Sequence, residues 1–287
     1  PDVGTFMREW LSLYDSKSGE RGIYNGMSAK KTVEQLNERY KDGDGKFITR
    51  RATREDFGTN PCSEIILRSR EFCNLSECVV RREDTRESLK EKVRTAAILG
   101  TFQSTLTEFK YLSREWKKNC DEERLLGVSL TGIMDNPLTN GSKKGLDTLL
   151  EELRDIAYET NKEWADKLGI PVSAAITCVK PSGTVSQLVD SASGIHARHN
   201  PHYIRTVRAD NKDPLCKLMQ DMGFPNEVDV TKPEHTTVFS FPQKSPKGAT
   251  CRNDMTALEQ LELWKVYAES WCEHKPSVTI SVKEDEW

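Results

Sequence analysis

Asn60-Pro61-Cys62-Ser63-Glu64-Ile65-Ile66-Leu67, followed by Phe72-Cys73-Asn74-Leu75, sets two thiols and a carboxylate at the joint between a polar lead-in and an apolar run. Pro61 disfavours helix for the residue before it, so Asn60 is expected to be extended. Cys62 then falls at the tip of a turn or the mouth of a strand, where a thiol can face a cavity. In extended chain, Glu64 would share a face with Cys62. A thiol and a carboxylate on one face suit chemistry in which sulfur takes one atom and the carboxylate takes a proton.

Upstream, Thr5 to Tyr14 reads as a helix with Phe6, Trp10, Leu11 and Tyr14 at core-like spacing. Asp42-Gly43-Asp44-Gly45 lacks the further ligands and closing Glu of a calcium loop and reads as a solvated turn. Arg50, Arg51 and Arg54 form a basic cluster, the kind that usually stays in water. Downstream, Cys78-Val79-Val80 could extend a strand. Leu89, Val93, Ala96, Leu99, Phe102, Leu106, Phe109 and Leu112 then predict one long helix from about Arg86 to Trp116. Leu125 to Gly132 reads as a buried strand or turn. A second amphipathic helix covers Leu146 to Leu168, stopped by Gly169 and Pro171. Strands are expected at Val172 to Val179, Thr237 to Phe241 and Val278 to Val282, with a helix from Met255 to Trp271. This alternation favours α/β architecture around a largely parallel sheet or barrel.

The totals narrow the class. The chain has 287 residues, enough for one large domain or two modest ones. A net charge of −3 argues against bulk attraction to nucleic acid or membrane surfaces. No apolar run of about 18 residues suggests a membrane span. Eight scattered cysteines in a chain of this size read as free thiols of a reducing, cytoplasmic setting. The opening Pro1-Asp2-Val3-Gly4 resembles neither a signal peptide nor a natural start, so a preceding segment is expected.

A second informative stretch is Lys180-Pro181-Ser182-Gly183-Thr184-Val185-Ser186. A strand ending there, before a short helix from Thr184, would gather free N–H groups and three hydroxyls where a phosphate fits. It is no Walker loop, and on local pattern alone an ordinary strand-to-helix turn is the plainer reading. His196, His199 and His202 recur every three residues, but Pro201 breaks any helix, so a polar loop outranks a metal site. Cys272-Glu273-His274 lacks zinc-spaced partners, so no metal is assigned. Trp116, Trp164, Trp264 and Trp271 read as packing, and Cys78 as a buried free thiol.

Together these stretches resemble the catalytic centre of a ribonucleotide reductase. The resemblance rests on Asn-Pro-Cys-x-Glu, Phe-Cys-Asn-Leu eleven positions after Cys62, and Pro-Ser-Gly-Thr-Val-Ser-Gln-Leu with Ser193-Gly194-Ile195 behind it. Leu126 to Gly132, Tyr203 to Arg208 and Pro276 to Trp287 make it similar to the adenosylcobalamin-dependent (class II) triphosphate branch. The resemblance implies part of a ten-stranded α/β barrel of the ribonucleotide reductase and glycyl-radical type. Residues 1–59 would be a lead-in, 60–80 the finger loop, and 81–287 the second half-barrel with a phosphate-binding loop.

By the same resemblance, Cys62 would carry a thiyl radical that removes the 3′ hydrogen of a ribonucleotide, and Glu64 would take the 3′-hydroxyl proton. Asn60 would bond the sugar, and Cys73 would be one of two reducing thiols. Pro181, Ser182, Gly183, Thr184, Val185 and Ser186 would hold the substrate phosphates. Adenosylcobalamin and an external dithiol reductant, thioredoxin-like, are the implied helpers. The family's other reducing thiol lies before the radical cysteine, and this chain has no cysteine before Cys62. A C-terminal dithiol tail would follow Trp287. The chain therefore reads as an internal fragment, or one piece of a split enzyme, inactive alone and lacking an N-terminal half-barrel. Competing readings are a class I chain fed by a metal-radical subunit, a silent nucleotide- or phosphate-binding module, and a cysteine hydrolase, which would need a histidine paired with Cys62.

Overall fold

The computed structural model describes residues 2–17 and 22–286; Pro1 and Trp287, at the ends of two segments read above, lie outside that range. Two helices, α1 (Val3–Ser16) and α2 (Gly26–Asn37), precede a small hairpin of β1 (Gly58–Thr59) and β2 (Ile66–Leu67). The body follows as β3 (Asn74–Val79), α3 (Arg86–Gln103), α4 (Arg114–Glu123), β4 (Leu126–Thr131), α5 (Leu146–Leu168), β5 (Thr177–Cys178) and α6 (Thr184–Leu188). The remaining elements are β6 (His202–Asp210), α7 (Pro214–Asp221), β7 (Asn226–Val228), β8 (Thr236–Lys244) and α8 (Ala257–Val266).

β3, β4 and β5 pair in parallel, in that order. In a parallel ladder, paired residues point to the same face. One face therefore carries Leu126, Val128, Leu130 and Cys78, buried against Leu89, Val93 and Ala97 of α3 and Leu149, Leu150 and Leu153 of α5. The opposite face carries Leu75, Glu77, Gly127, Ser129, Thr131 and Cys178. The apolar face is the core and the polar, thiol-bearing face holds the candidate site. Beyond β5, β6 and β7 flank β8 in an antiparallel sheet. The described residues thus show α/β architecture with a short parallel sheet, and no closed barrel among them.

Several expectations change. The long helix ends at Gln103, because Thr101, Ser104 and Thr105 turn their hydroxyls onto the carbonyls of Ala97, Thr101 and Phe102 and compete with the helix ladder. Leu106 and Leu112, beyond that end, are exposed rather than core, and so are Leu99 and Phe102 within α3. α1 forms as expected, its N-terminus capped by Asp2, but buries none of its residues. Val278 to Val282 forms no strand, and the helix expected from Met255 starts at Ala257 and gives way after Val266 to a π-turn over Tyr267–Trp271.

Arg50 and Arg51 are no solvated cluster. Arg50 pairs with Glu273, and Arg51 with Glu71 at 3.2 Å and Glu123 at 2.7 Å, all in the interior; only Arg54 stays exposed. Buried guanidinium groups persist because each is matched by carboxylates and carbonyls.

Candidate active site

The loop between β1 and β2 is a tight turn. Ser63 N–H donates to the Asn60 carbonyl at 2.9 Å, Pro61 fills the position whose φ it favours, and Ser63 adopts φ 62°. Cys62 is left exposed at the tip. The left-handed Ser63 breaks the alternation expected of extended chain, so Cys62 and Glu64 do not share a face: Glu64 is fully buried. Both carboxylate oxygens of Glu64 lack a hydrogen-bond partner among the described residues. A buried carboxyl with unused oxygens is costly unless something else supplies a donor.

The base of the loop is held on several sides. The Ile65 N–H donates to Asn60 Oδ1 at 3.0 Å, which fixes the amide and turns its NH2 group away from that contact. Lys275 N–H donates to the Glu64 carbonyl at 2.9 Å, and Arg51 Nη1 to the Ile66 carbonyl at 2.9 Å. His274, 2% exposed, accepts from Ile66 N–H at Nδ1 and meets the Leu126 carbonyl at Nε2, 3.0 Å away. Burial, then the charges of Arg51 and Arg50, drops its pKa to about 3, so the ring is neutral with one donor and one acceptor both used. The Cys272-Glu273-His274 stretch is therefore a structural splice.

Cys73 precedes β3, two positions before Leu75, and its thiol reaches the polar face beside Gly127. A methyl group placed on Gly127 would lie 3.2 Å from Cys73 Sγ, 3.3 Å from Cys178 Sγ and 2.4 Å from Leu75 Cδ2. The two sulfurs thus face the same gap above a glycine floor. Burial first, then the Glu71 and Glu64 charges, raises the Cys73 pKa well above the usual thiol range; Cys178 is raised likewise by burial, Cys73, Cys272 and Glu64. Both are S–H groups at neutral pH, suited to giving up hydrogen atoms rather than attacking as thiolates. Cys178 was not singled out in the sequence, although it lies only two residues before Lys180. Its side-chain direction was the missing information.

The 181–186 segment follows β5 on the same side of the sheet. Lys180 N–H donates to Ser129 Oγ at 2.8 Å, and Ser182 Oγ donates to Glu77 Oε2 at 3.0 Å. Gly194, with φ 54°, lies so close that a methyl group there would meet the Lys180 carbonyl oxygen at 2.4 Å. Of the three expected hydroxyls, Ser182 and Ser186 are turned inward, Ser186 onto the Gly183 carbonyl. Gly183, Thr184 and Val185 are exposed, while Pro181 is half-buried. His196 donates from Nδ1 to the Ser193 carbonyl and accepts Thr279 N–H at Nε2; His199 contacts Asn200, and His202 opens β6.

No family model matches the chain. It is 30% identical over 224 residues to the adenosylcobalamin-dependent ribonucleoside-triphosphate reductase of Euglena gracilis, covering 78% of this chain and 30% of that protein. It is 27% identical to the enzyme of the same name from Lactobacillus gasseri, over 94% of this chain and 38% of that one. In fold it superposes on a crystal structure of B-12 dependent (class II) ribonucleotide reductase with a TM-score of 0.71 at 23% identity, over 90% of this chain and 41% of that one. By fold and sequence the chain is a relative of the ribonucleotide reductases. The two relatives named above both belong to one branch, the adenosylcobalamin-dependent ribonucleoside-triphosphate reductases. The chain spans between about a third and two-fifths of the length of these relatives.

Proposed function

We propose that this chain carries the radical-bearing loop and phosphate loop of a ribonucleotide reductase acting on ribonucleoside triphosphates. The observation that supports this most is the fully buried Glu64 with two unpartnered oxygens, beside the Cys73 and Cys178 thiols. Cys62 is exposed at a turn held by Pro61 and Ser63, a position that suits exchange of a hydrogen atom with an external cofactor. Adenosylcobalamin, when bound, supplies the radical chemistry that begins the cycle. An S–H bond is comparable in strength to the C–H bond attacked, so a Cys62 radical can take the 3′ hydrogen and return it. Glu64 accepts the 3′-hydroxyl proton and Asn60 bonds the sugar through its free NH2. Cys73 and a second thiol deliver two hydrogens, the 2′-hydroxyl leaves as water, and the thiols close to a disulfide. A thioredoxin-like dithiol then resets the pair. In this reading β3–β5 belong to a ten-stranded barrel, with residues 60–80 as its finger loop and 81–287 its second half.

The test is made in the complete enzyme. Cys62→Ser abolishes reduction while nucleoside triphosphate binding, read by calorimetry, stays nearly intact. Retained turnover refutes the assignment. Cys73→Ser stops multiple turnover but permits exchange of the 3′ hydrogen with solvent-labelled thiol; loss of both removes Cys73 from the reducing role.

A further inference from the structure

Beneath the 181–186 loop sits a carboxylate, an unfavourable neighbour for a phosphate unless it serves the loop itself. Glu77 and Ser129 are cross-strand partners on the polar face of β3 and β4. Each holds one point of the loop: Ser129 Oγ takes the Lys180 N–H, and Glu77 Oε2 takes the Ser182 hydroxyl. Ser182 is only 2% exposed. A serine hydroxyl has one proton, and this one is committed to Glu77, so it cannot also be donated to a phosphate oxygen. Gly183 and Thr184, next along the chain, are exposed. On the other side, Gly194 backs onto Lys180 with no room for a side chain.

Resting on the phosphate-loop reading above, we propose that Glu77 is a positioning residue that locks the 181–186 loop through Ser182, leaving phosphate contact to the exposed Gly183 and Thr184. The second oxygen, Glu77 Oε1, is buried with no partner among the described residues, so the carboxylate is held in the interior chiefly by the Ser182 bond. A charged acceptor makes that bond stronger than a neutral pair would, which is how one side chain can fix a short loop.

Two measurements on the full chain test this. In amide hydrogen exchange, Glu77→Ala and Ser182→Ala each speed exchange over residues 182–189 by about tenfold, the loss of one charge-assisted bond. The double variant is no faster than either single one, because both remove the same link. Glu77→Gln keeps an acceptor and recovers most of the protection. Unchanged exchange in Glu77→Ala, or additive losses, overturns the lock. In calorimetry with ATP, CTP, GTP and UTP, Glu77→Ala and Ser182→Ala weaken binding about equally. Tighter binding by Glu77→Ala overturns the proposal, since the carboxylate would then merely repel. Failure of the wild-type chain to bind any triphosphate removes the phosphate reading, while the exchange result still decides the lock.

Discussion

The parallel sheet β3–β4–β5 and the antiparallel sheet β6–β8–β7 each pair three strands and solve opposite problems. Every residue of β4 is buried, whereas β6 has no buried residue along its nine. Parallel strands need crossovers, and α3 and α5 supply them while covering one face. The antiparallel unit needs no crossover, so β6 and β7 stay without a buried residue while Thr237, Val238 and Phe239 of β8 and Cys216 of α7 are covered, and the ladder and ion pairs such as Arg208 with Asp229 hold it. The difference explains where perturbed chemistry can exist. The thiols Cys73 and Cys178, their pKa values raised by burial, and the neutral buried His274 lie in and beside the parallel sheet, where covering helices and loops exclude water.

This contrast can be broken most strongly with acid. His274 has a folded pKa near 3 against an unfolded value near 6.5. The unfolded chain therefore binds the proton first, and stability present above about pH 6.5 is lost as pH falls toward 3, by up to roughly 5 kcal/mol. Urea midpoints measured across that range should fall, and His274→Asn should flatten the limb. An unchanged slope in the variant would place the acid sensitivity elsewhere.

Next in size is a pair of truncations. Leu130→Ala, in the buried face of β4, should cost about 3 kcal/mol in denaturant unfolding. Ile204→Ala on β6, where the side chain is 69% exposed, should stay within about 0.5 kcal/mol. Equal costs would mean the antiparallel sheet is covered in solution. Gly127→Ala should cost about 1 kcal/mol, between those two, because the Leu75 methyl and the two thiols it would meet are side-chain ends that can shift. Its effect on ribonucleotide reduction in the complete enzyme should be larger than on unfolding, since it intrudes between Cys73 and Cys178. Full reduction with the methyl in place would show that the gap is not used.

Much of the scaffold was legible in the residues. The helix from Leu146 to Leu168 and its Gly169 stop, the buried run at Leu126, the turn at Pro61 and the short helix at Thr184 follow from local periodicity and backbone preference. The long helix failed at Ser104 because hydroxyl competition for carbonyls leaves no mark in an apolar stripe. Arg50 and Arg51 misled because their carboxylates, Glu273, Glu71 and Glu123, come from distant parts of the chain.

By itself the sequence determined the local order of the candidate groups: a thiol at a proline turn, a carboxylate two residues on, a thiol before a strand, and a Pro-Ser-Gly-Thr loop. Those are local properties of residue type and order. Only the tertiary structure decided that Glu64 is buried while Cys62 is not, that Cys178 joins Cys73 over Gly127, and that Ser182 faces Glu77 instead of open groove. The first follows from the left-handed backbone at Ser63 in the β1–β2 turn, the other two from the register of parallel strands far apart in sequence; a period-two alternation names two faces without saying which one meets the helices.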